Sequence, residues 1–311
     1  METRQGLPDL APETVAGAVA ATYAAGARAV QPELCCPVEY DPKWLAAIPA
    51  EVLERDYGCG DPSRWLRPGE TVLDLGSGGG KICFIASQVV GPEGRVIGVD
   101  MTPDMLELAR RARPEVARRV GWDNVEFRRG RIEDLALDLE KLEEWLIAHP
   151  VRDLAGYSAL LAETERLRRE EPMVPDDSID VVVSNCVLNL VAPGAKERLF
   201  AELHRVLRPG GRAVISDIVA SQPVPAELQR DPELWSGCIS GALEEGAFRR
   251  AFAAAGLDGL RVLARGEEPW RVVAGIEFRS LTVAAWKPPV PVEAASCCAP
   301  PTAGGGGGCC G

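Results

Sequence analysis

The side chains best able to do chemistry in this chain are its ten cysteines, set within 311 residues. Three stand singly beside glycine or asparagine: Cys59 in Tyr57-Gly-Cys-Gly60, Cys186 in Ser184-Asn-Cys-Val187, and Cys238 in Ser236-Gly-Cys-Ile239. Three adjacent pairs, Cys35-Cys36, Cys297-Cys298 and Cys309-Cys310, stand nearer the ends. Only Cys83 falls inside an apolar helical run, where a thiol behaves as a small buried hydrophobe. Residues Met1 to Gly6 lack the basic-then-apolar layout of a secretory signal, so a soluble, cytoplasmic protein in a reducing setting is expected. Many thiols there point to soft-element binding or redox chemistry rather than structural bridges. No two of Cys59, Cys186 and Cys238 form a close C-x-x-C pair, so no structural metal is expected.

A second signal lies in Leu73-Asp-Leu-Gly-Ser-Gly-Gly-Gly80, with glycines at 76, 78 and 80. Glycine-rich turns after a strand let a ligand approach the backbone where side chains would collide. Asp74 precedes the turn, placed to accept a hydrogen bond from a ligand ammonium. Asp100 ends the next apolar run, placed to accept from both ribose hydroxyls. A dinucleotide fingerprint would need its last glycine where Lys81 stands. Together these residues favour S-adenosylmethionine over NAD.

These groups need a frame. Thr71 to Leu75, Arg95 to Val99, Val125 to Phe127, Ile179 to Ser184 and Ala213 to Ile218 read as five strands. Helices are expected between them at Lys81 to Val90, from Thr102 with Pro103 at the first helical position, and at Ala195 to Leu207. Strands alternating with helices imply a parallel sheet covered on both faces. Leu260 to Leu263 and Ser280 to Trp286 read as two last strands, pairing antiparallel at the sheet end. The expected fold is therefore α/β and Rossmann-like, a mostly parallel seven-stranded sheet. Residues 1–66 form a helical and loop cap carrying Cys35, Cys36 and Cys59, and 67–287 the main domain. Within it, 135–175 is a helical insert over the active-site rim, at an oligomer contact, or simply solvated, and 219–242 a substrate cap. The Pro- and Gly-rich tail, 288–311, is expected to be disordered.

Composition excludes several classes. A net charge of -12 argues against a nucleic-acid partner. No apolar run reaches the roughly 18 residues of a membrane span. Two histidines, His149 and His204, leave little room for histidine catalysis and read as surface or helix-end residues.

Leu73 to Gly80, Val99-Asp-Met101, Gly130-Arg-Ile-Glu-Asp134 and Leu207-Arg-Pro-Gly-Gly211 resemble the successive motifs of class I S-adenosylmethionine-dependent methyltransferases. The resemblance implies that Asp74, Gly76, Ser77 and Gly78 approach the methionine part of the donor. Asp100 holds the ribose, Met101 packs on the adenine, and Ile132 and Glu133 lie along its edge. Asn185 and Cys186 pass beneath the methyl.

Asp56-Tyr-Gly-Cys-Gly-Asp61, Ser184-Asn-Cys-Val-Leu-Asn-Leu190 and Ser236-Gly-Cys-Ile-Ser-Gly-Ala242 resemble the three cysteine motifs of arsenite methyltransferases. That likeness covers most of residues 35 to 290. It implies that thiolates of Cys59, Cys186 and Cys238 hold As(III) beside the donor. It also implies that Cys35 or Cys36 pairs with Cys59 during turnover and that thioredoxin or glutathione restores the thiols. The chemistry is coherent: a three-thiolate pyramid leaves a lone pair on arsenic, so no general base is needed. Two other functions remain open at this point. One is methylation of a different small molecule. The other is thiol-rich metalloid binding without catalysis, for which the tail cysteines would serve capture.

Overall fold

The computed structural model describes residues 12–31, 38–231, 234–235 and 237–289. Cys35, Cys36 and the four tail cysteines lie outside them, as does the expected disordered tail from residue 290 onward.

Five parallel strands come first: β1 (Thr71–Leu75), β2 (Arg95–Asp100), β3 (Val125–Arg129), β4 (Ile179–Asn185) and β5 (Leu207–Ala220). Three more follow: β6 (Asp258–Arg265), β7 (Arg271–Val273) and β8 (Ile276–Trp286). The order across the sheet is β3-β2-β1-β4-β5-β8-β6, with β7 paired to β8. β1 pairs parallel with β2 and β4, and β8 runs antiparallel to both β5 and β6. The sheet thus has eight strands where seven were expected. The extra one is the short Arg271–Val273, a three-residue run too brief to carry an alternating pattern. β8 is also longer than expected, starting at Ile276.

β1 and β4 are buried on both faces, as a parallel sheet requires, which explains their continuous Val/Leu/Ile runs. One face is covered by α4 (Lys81–Val90) and α5 (Pro103–Val120), whose Phe84, Leu106 and Leu108 pack on Val72, Val96 and Val181. The other is covered by α8 (Lys196–Val206) and α10 (Glu245–Ala254), through Leu199, Phe200, Phe248 and Phe252. A fully buried Phe contributes about 1.5–3 kcal/mol, so these aromatic anchors fix the helices firmly. Chain order reverses between β1 and β4, which opens a crevice at the strands' carboxyl ends.

The N-terminal helix α1 (Pro12–Arg28) docks on α5, helped by the Arg28–Asp104 ion pair. The Tyr57 hydroxyl donates to Gly26 O (3.0 Å) and accepts from Gln31 N (3.1 Å), tying α1 to the Cys59 segment. The insert forms two helices, α6 (Leu139–Ala148) and α7 (Leu154–Glu170), each N-capped by an aspartate. It sits at the β3 edge, and no residue of either helix lines the cleft described next. Thr102 does occupy the N-cap of α5, yet its side chain makes no capping bond. His149 ends α6 and His204 lies in the last turn of α8, as expected of helix-end residues. Among the described residues no helix is long and apolar enough to cross a membrane.

Candidate functional site

The turn after β1 forms one wall of a cleft of about 1030 Å³, counting the solvent at its mouth. Asp74, Gly76, Ser77, Gly78, Asp100, Met101, Ile132, Glu133 and Asn185 all line it. Gly76 and Gly78 take positive φ, 65° and 51°. A Cβ on Gly76 would strike Val187 at 2.4 Å, whereas one on Gly78 would meet nothing within 4 Å and would project into open space. The first glycine is demanded by packing and the second leaves room for a ligand.

The Asp100 carboxylate accepts from Gly78 N (2.9 Å) and Thr102 N (2.8 Å), with the Thr102 hydroxyl and Met101 N as further donors, which aims it at the cleft wall. Burial raises its pKa, against the pull of those N–H groups. Asp74 is buried and accepts a hydrogen bond from the Cys83 thiol at 3.2 Å. Burial pushes the Asp74 carboxyl up to about 8, with the thiol bond opposing. Cys83 is therefore more than a filler: it backs the carboxylate that faces the cleft. Glu133 is held by Arg131. The Ser77 hydroxyl is buried without a hydrogen-bond partner. An orphaned hydroxyl, an open glycine and two inward carboxylates fit a ligand with an ammonium, a diol and a flat apolar base. S-adenosylmethionine has those parts.

Behind this cleft lies a small apolar cluster that gathers Cys59, Cys186 and Cys238, all buried thiols. Cys59 comes from the loop before the domain, Cys186 from the end of β4, and Cys238 from the segment after β5. The Cys59 and Cys186 sulfurs and an Asp217 oxygen all lie within 4.8 Å of one another. Cys238 stands just outside that group, its thiol donating to Cys186 O at 3.3 Å. The sequence placed three sulfurs together; the tightest trio has two sulfurs and a carboxylate, with the third sulfur adjacent.

Cys186 and Cys238 both adopt left-handed backbone, with φ of 64° and 61°. That conformation costs a non-glycine residue about 1–2 kcal/mol and persists only where surroundings enforce it. Here Cys186 N donates to Ser216 O (2.8 Å), and Asn189 Nδ2 donates to Cys238 O (3.4 Å). Gly241 lets the Cys238 segment seat closely, since a Cβ there would lie 1.8 Å from Asn189 O.

Asn185 lines the donor cleft, but its amide is committed elsewhere. Its Oδ1 accepts from Cys59 N (2.9 Å) and Gly60 N (3.0 Å). Its Nδ2 donates to Gly60 O (2.7 Å) and the Tyr40 hydroxyl (3.1 Å). Asn185 thus clamps the Cys59 loop onto the sheet. Gly58 is required there, because its Cβ would sit 2.0 Å from that amide nitrogen. The clamp is extended by Tyr40, whose hydroxyl donates to Gly60 O (3.0 Å). Lys81 caps its ring at 3.7 Å and pairs with Asp56 (2.8 Å).

Asp217 escaped the sequence reading, although an acidic residue inside the apolar run Ala213 to Ala220 was a usable signal. It is fully buried and accepts from Leu188 N (2.9 Å), Asn189 Nδ2 (2.8 Å) and Ile218 N (2.8 Å). Burial raises its carboxyl to about 6, while those donors and Lys196 pull it down. Lys196, itself lowered to about 8 by burial, donates to Leu188 O at 2.6 Å. Tyr23 of α1 was also missed. It lines the cleft, and its phenol is raised well above its usual range by burial, with added repulsion from Cys238, Cys186 and Asp217.

A methyltransferase-domain family model matches residues 66–256. The chain is 39% identical over 230 residues to an arsenite methyltransferase of Halobacterium salinarum, covering 73% of this chain and 48% of that protein. Against the Homo sapiens arsenite methyltransferase the figures are 33% identity, 64% and 44%. The chain spans about half the length of these curated relatives. Among solved structures it is similar to CrArsM, an arsenic(III) S-adenosylmethionine methyltransferase from Chlamydomonas reinhardtii. That match has 30% identity and a TM-score of 0.60, covering 85% of this chain and 76% of that one.

Proposed function

The chain belongs to the arsenite methyltransferase family of S-adenosylmethionine-dependent methyltransferases, and from that premise we propose that it methylates trivalent arsenic held by Cys59, Cys186 and Cys238. The observation that carries this reading is a shared residue. Cys186 lines the donor cleft, and its sulfur lies with that of Cys59 in the thiol cluster.

The donor, once bound, supplies an electrophilic methyl group on a sulfonium. The chain's own residues do the rest. Asp74 would meet the ammonium end, the backbone at Gly76 and Gly78 would admit the chain, and Asp100 would accept from the ribose hydroxyls. Arsenite enters as substrate, and each cysteine thiol replaces one arsenic-bound hydroxyl, which leaves as water. Three sulfurs then leave arsenic with its lone pair. Cys238 needs only a short swing from the Cys186 carbonyl to complete the set. The apolar surroundings, Ile218, Ile239 and Phe278, exclude water from the reacting atoms. Alignment and dryness supply most of the rate.

Methyl transfer takes arsenic formally from the trivalent to the pentavalent state. Two electrons return when a cysteine pair closes to a disulfide, Cys59 with Cys35 or Cys36. Thioredoxin or glutathione then reopens it. Methylarsenicals are the products, and arsenic detoxification in a cytoplasmic setting is the physiological role that fits. The division into residues 1–66, 67–287 and 288–311 assigns the cap one thiol ligand and the main domain the donor site and two others. The test is incubation of purified protein with arsenite, a thiol and labelled donor, followed by arsenic speciation. Cys186→Ser should yield no methylarsenical while still binding the donor; undiminished product from that variant overturns the reading.

A further inference from the structure

Asp217, held by N–H donors and near the buried Lys196 charge, also lies against two thiols. A carboxylate beside cysteines penalises their thiolates, since like charges in a buried space repel. The arrangement becomes favourable when a positive centre replaces the thiol protons. Arsenic(III) needs three sulfurs in a pyramid and has no use for a fourth donor. A divalent thiophilic cation is different: it takes four ligands in a tetrahedron and accepts sulfur and carboxylate oxygen together.

We propose that Cys59, Cys186 and Asp217, joined by Cys238, form a binding site for a divalent thiophilic cation of the zinc or cadmium class. The trio already lies within 4.8 Å, the spread expected of groups around one ion, and Cys238 adjoins it. The N–H groups of Leu188 and Ile218 and both the backbone and side chain of Asn189 aim the carboxylate, and one of its oxygens still lies within 4.8 Å of both sulfurs. The lack of a C-x-x-C pair says nothing against this site, because the fold brings its donors from three separate segments. Each coordinating thiol releases its proton to the buffer. A closed-shell cation of this class carries no lone pair to accept a methyl group, so its occupancy is a dead end that excludes the acceptor. The inference rests on the thiol cluster and only borrows from the arsenic reading.

The test is titration of the donor-free full chain with cadmium ion, read by the ultraviolet sulfur-to-metal charge-transfer band, with arsenite titrations in parallel. The adjacent cysteine pairs 35-36, 297-298 and 309-310 contribute their own absorbance, so the signal of the site is the component that is lost in Cys59→Ser and Cys186→Ser, kept when those six cysteines are replaced by serine, and displaced by arsenite. Asp217→Asn should weaken cadmium on the order of tenfold or more, leaving arsenite affinity within about threefold, because three sulfurs suffice for arsenic. A parallel fall of both affinities in Asp217→Asn makes the carboxylate structural and overturns the proposal. So does an undiminished band when Cys59→Ser or Cys186→Ser is made in the chain whose six paired cysteines are serine. Should Asp217→Asn fail to fold, those serine variants alone decide. Cadmium bound at this site with no methylarsenical formed by the wild type would sink the arsenic reading and leave the cation site standing.

Discussion

Replacing Asn185 by alanine should detach the Cys59 loop without harming the donor cleft. The side chain makes four hydrogen bonds to that loop and Tyr40, between 2.7 and 3.1 Å. At about 1 kcal/mol net for each, with water replacing part of the loss at a half-buried site, the fold should lose about 2–4 kcal/mol. A chain of this size would then melt roughly 3–6 °C lower. Arsenite should suffer more specifically. Binding would have to reorder Gly58, Cys59 and Gly60, at about 1 kcal/mol or more of backbone entropy each. About 3 kcal/mol corresponds to an affinity loss on the order of 100-fold. Arsenite titration followed by the fluorescence of Trp235, buried beside the site, reads this directly, with donor titration as the control. Donor affinity should change by no more than a few-fold, since all four hydrogen bonds of the amide go to the Cys59 loop and Tyr40. Arsenite affinity within threefold of the wild type would show that something other than Asn185 holds the Cys59 loop.

Gly58→Ala should reproduce the arsenite defect, because its Cβ would overlap the Asn185 amide at 2.0 Å; normal arsenite binding in that variant would count against the clamp. Gly76→Ala, which pairs a φ of 65° with a 2.4 Å clash against Val187, should weaken donor binding at least tenfold by about 1–2 kcal/mol of strain plus displacement, checked by calorimetry. Asp74 gives a pH prediction. Its folded pKa of about 8 exceeds the unfolded 3.8, so the folded state holds the extra proton between them. Stability should therefore fall as pH rises through that window, by up to about 1.4 kcal/mol per pH unit. Asp74→Asn should gain on the wild type in donor-free melting between pH 5 and 8, and a constant difference across that range refutes the assignment.

Much of this was legible in the sequence because it is local. The Gly76–Gly80 turn, Asp100 at a strand end and Pro103 at a helix start each declare themselves within a few residues. The same holds for α4, found at Lys81–Val90 as read. What was illegible is long-range. Asn185 reaches Cys59 across 126 positions, and no local pattern announces that its amide faces a loop rather than a ligand. Asp217 joins the thiols only because β4 and β5 lie side by side, Asn185 against Ser216. Cys238 likewise takes a left-handed turn that composition does not encode. Thr102 shows the converse limit: the right residue stands at the cap, yet its hydroxyl serves Asp100 rather than the helix.

Of the three thiols in the buried cluster, only Cys186 is rooted in the ladder of the sheet; the other two arrive on appended segments that rest on it. The scaffold is in this sense a chassis with interchangeable fittings. On the proposed arsenic reading, grafting a different loop in place of 57–61 or 237–242 would alter which element is captured without disturbing the strands under the glycine-rich turn. An engineer seeking a methylating catalyst for another soft element would do well to begin there.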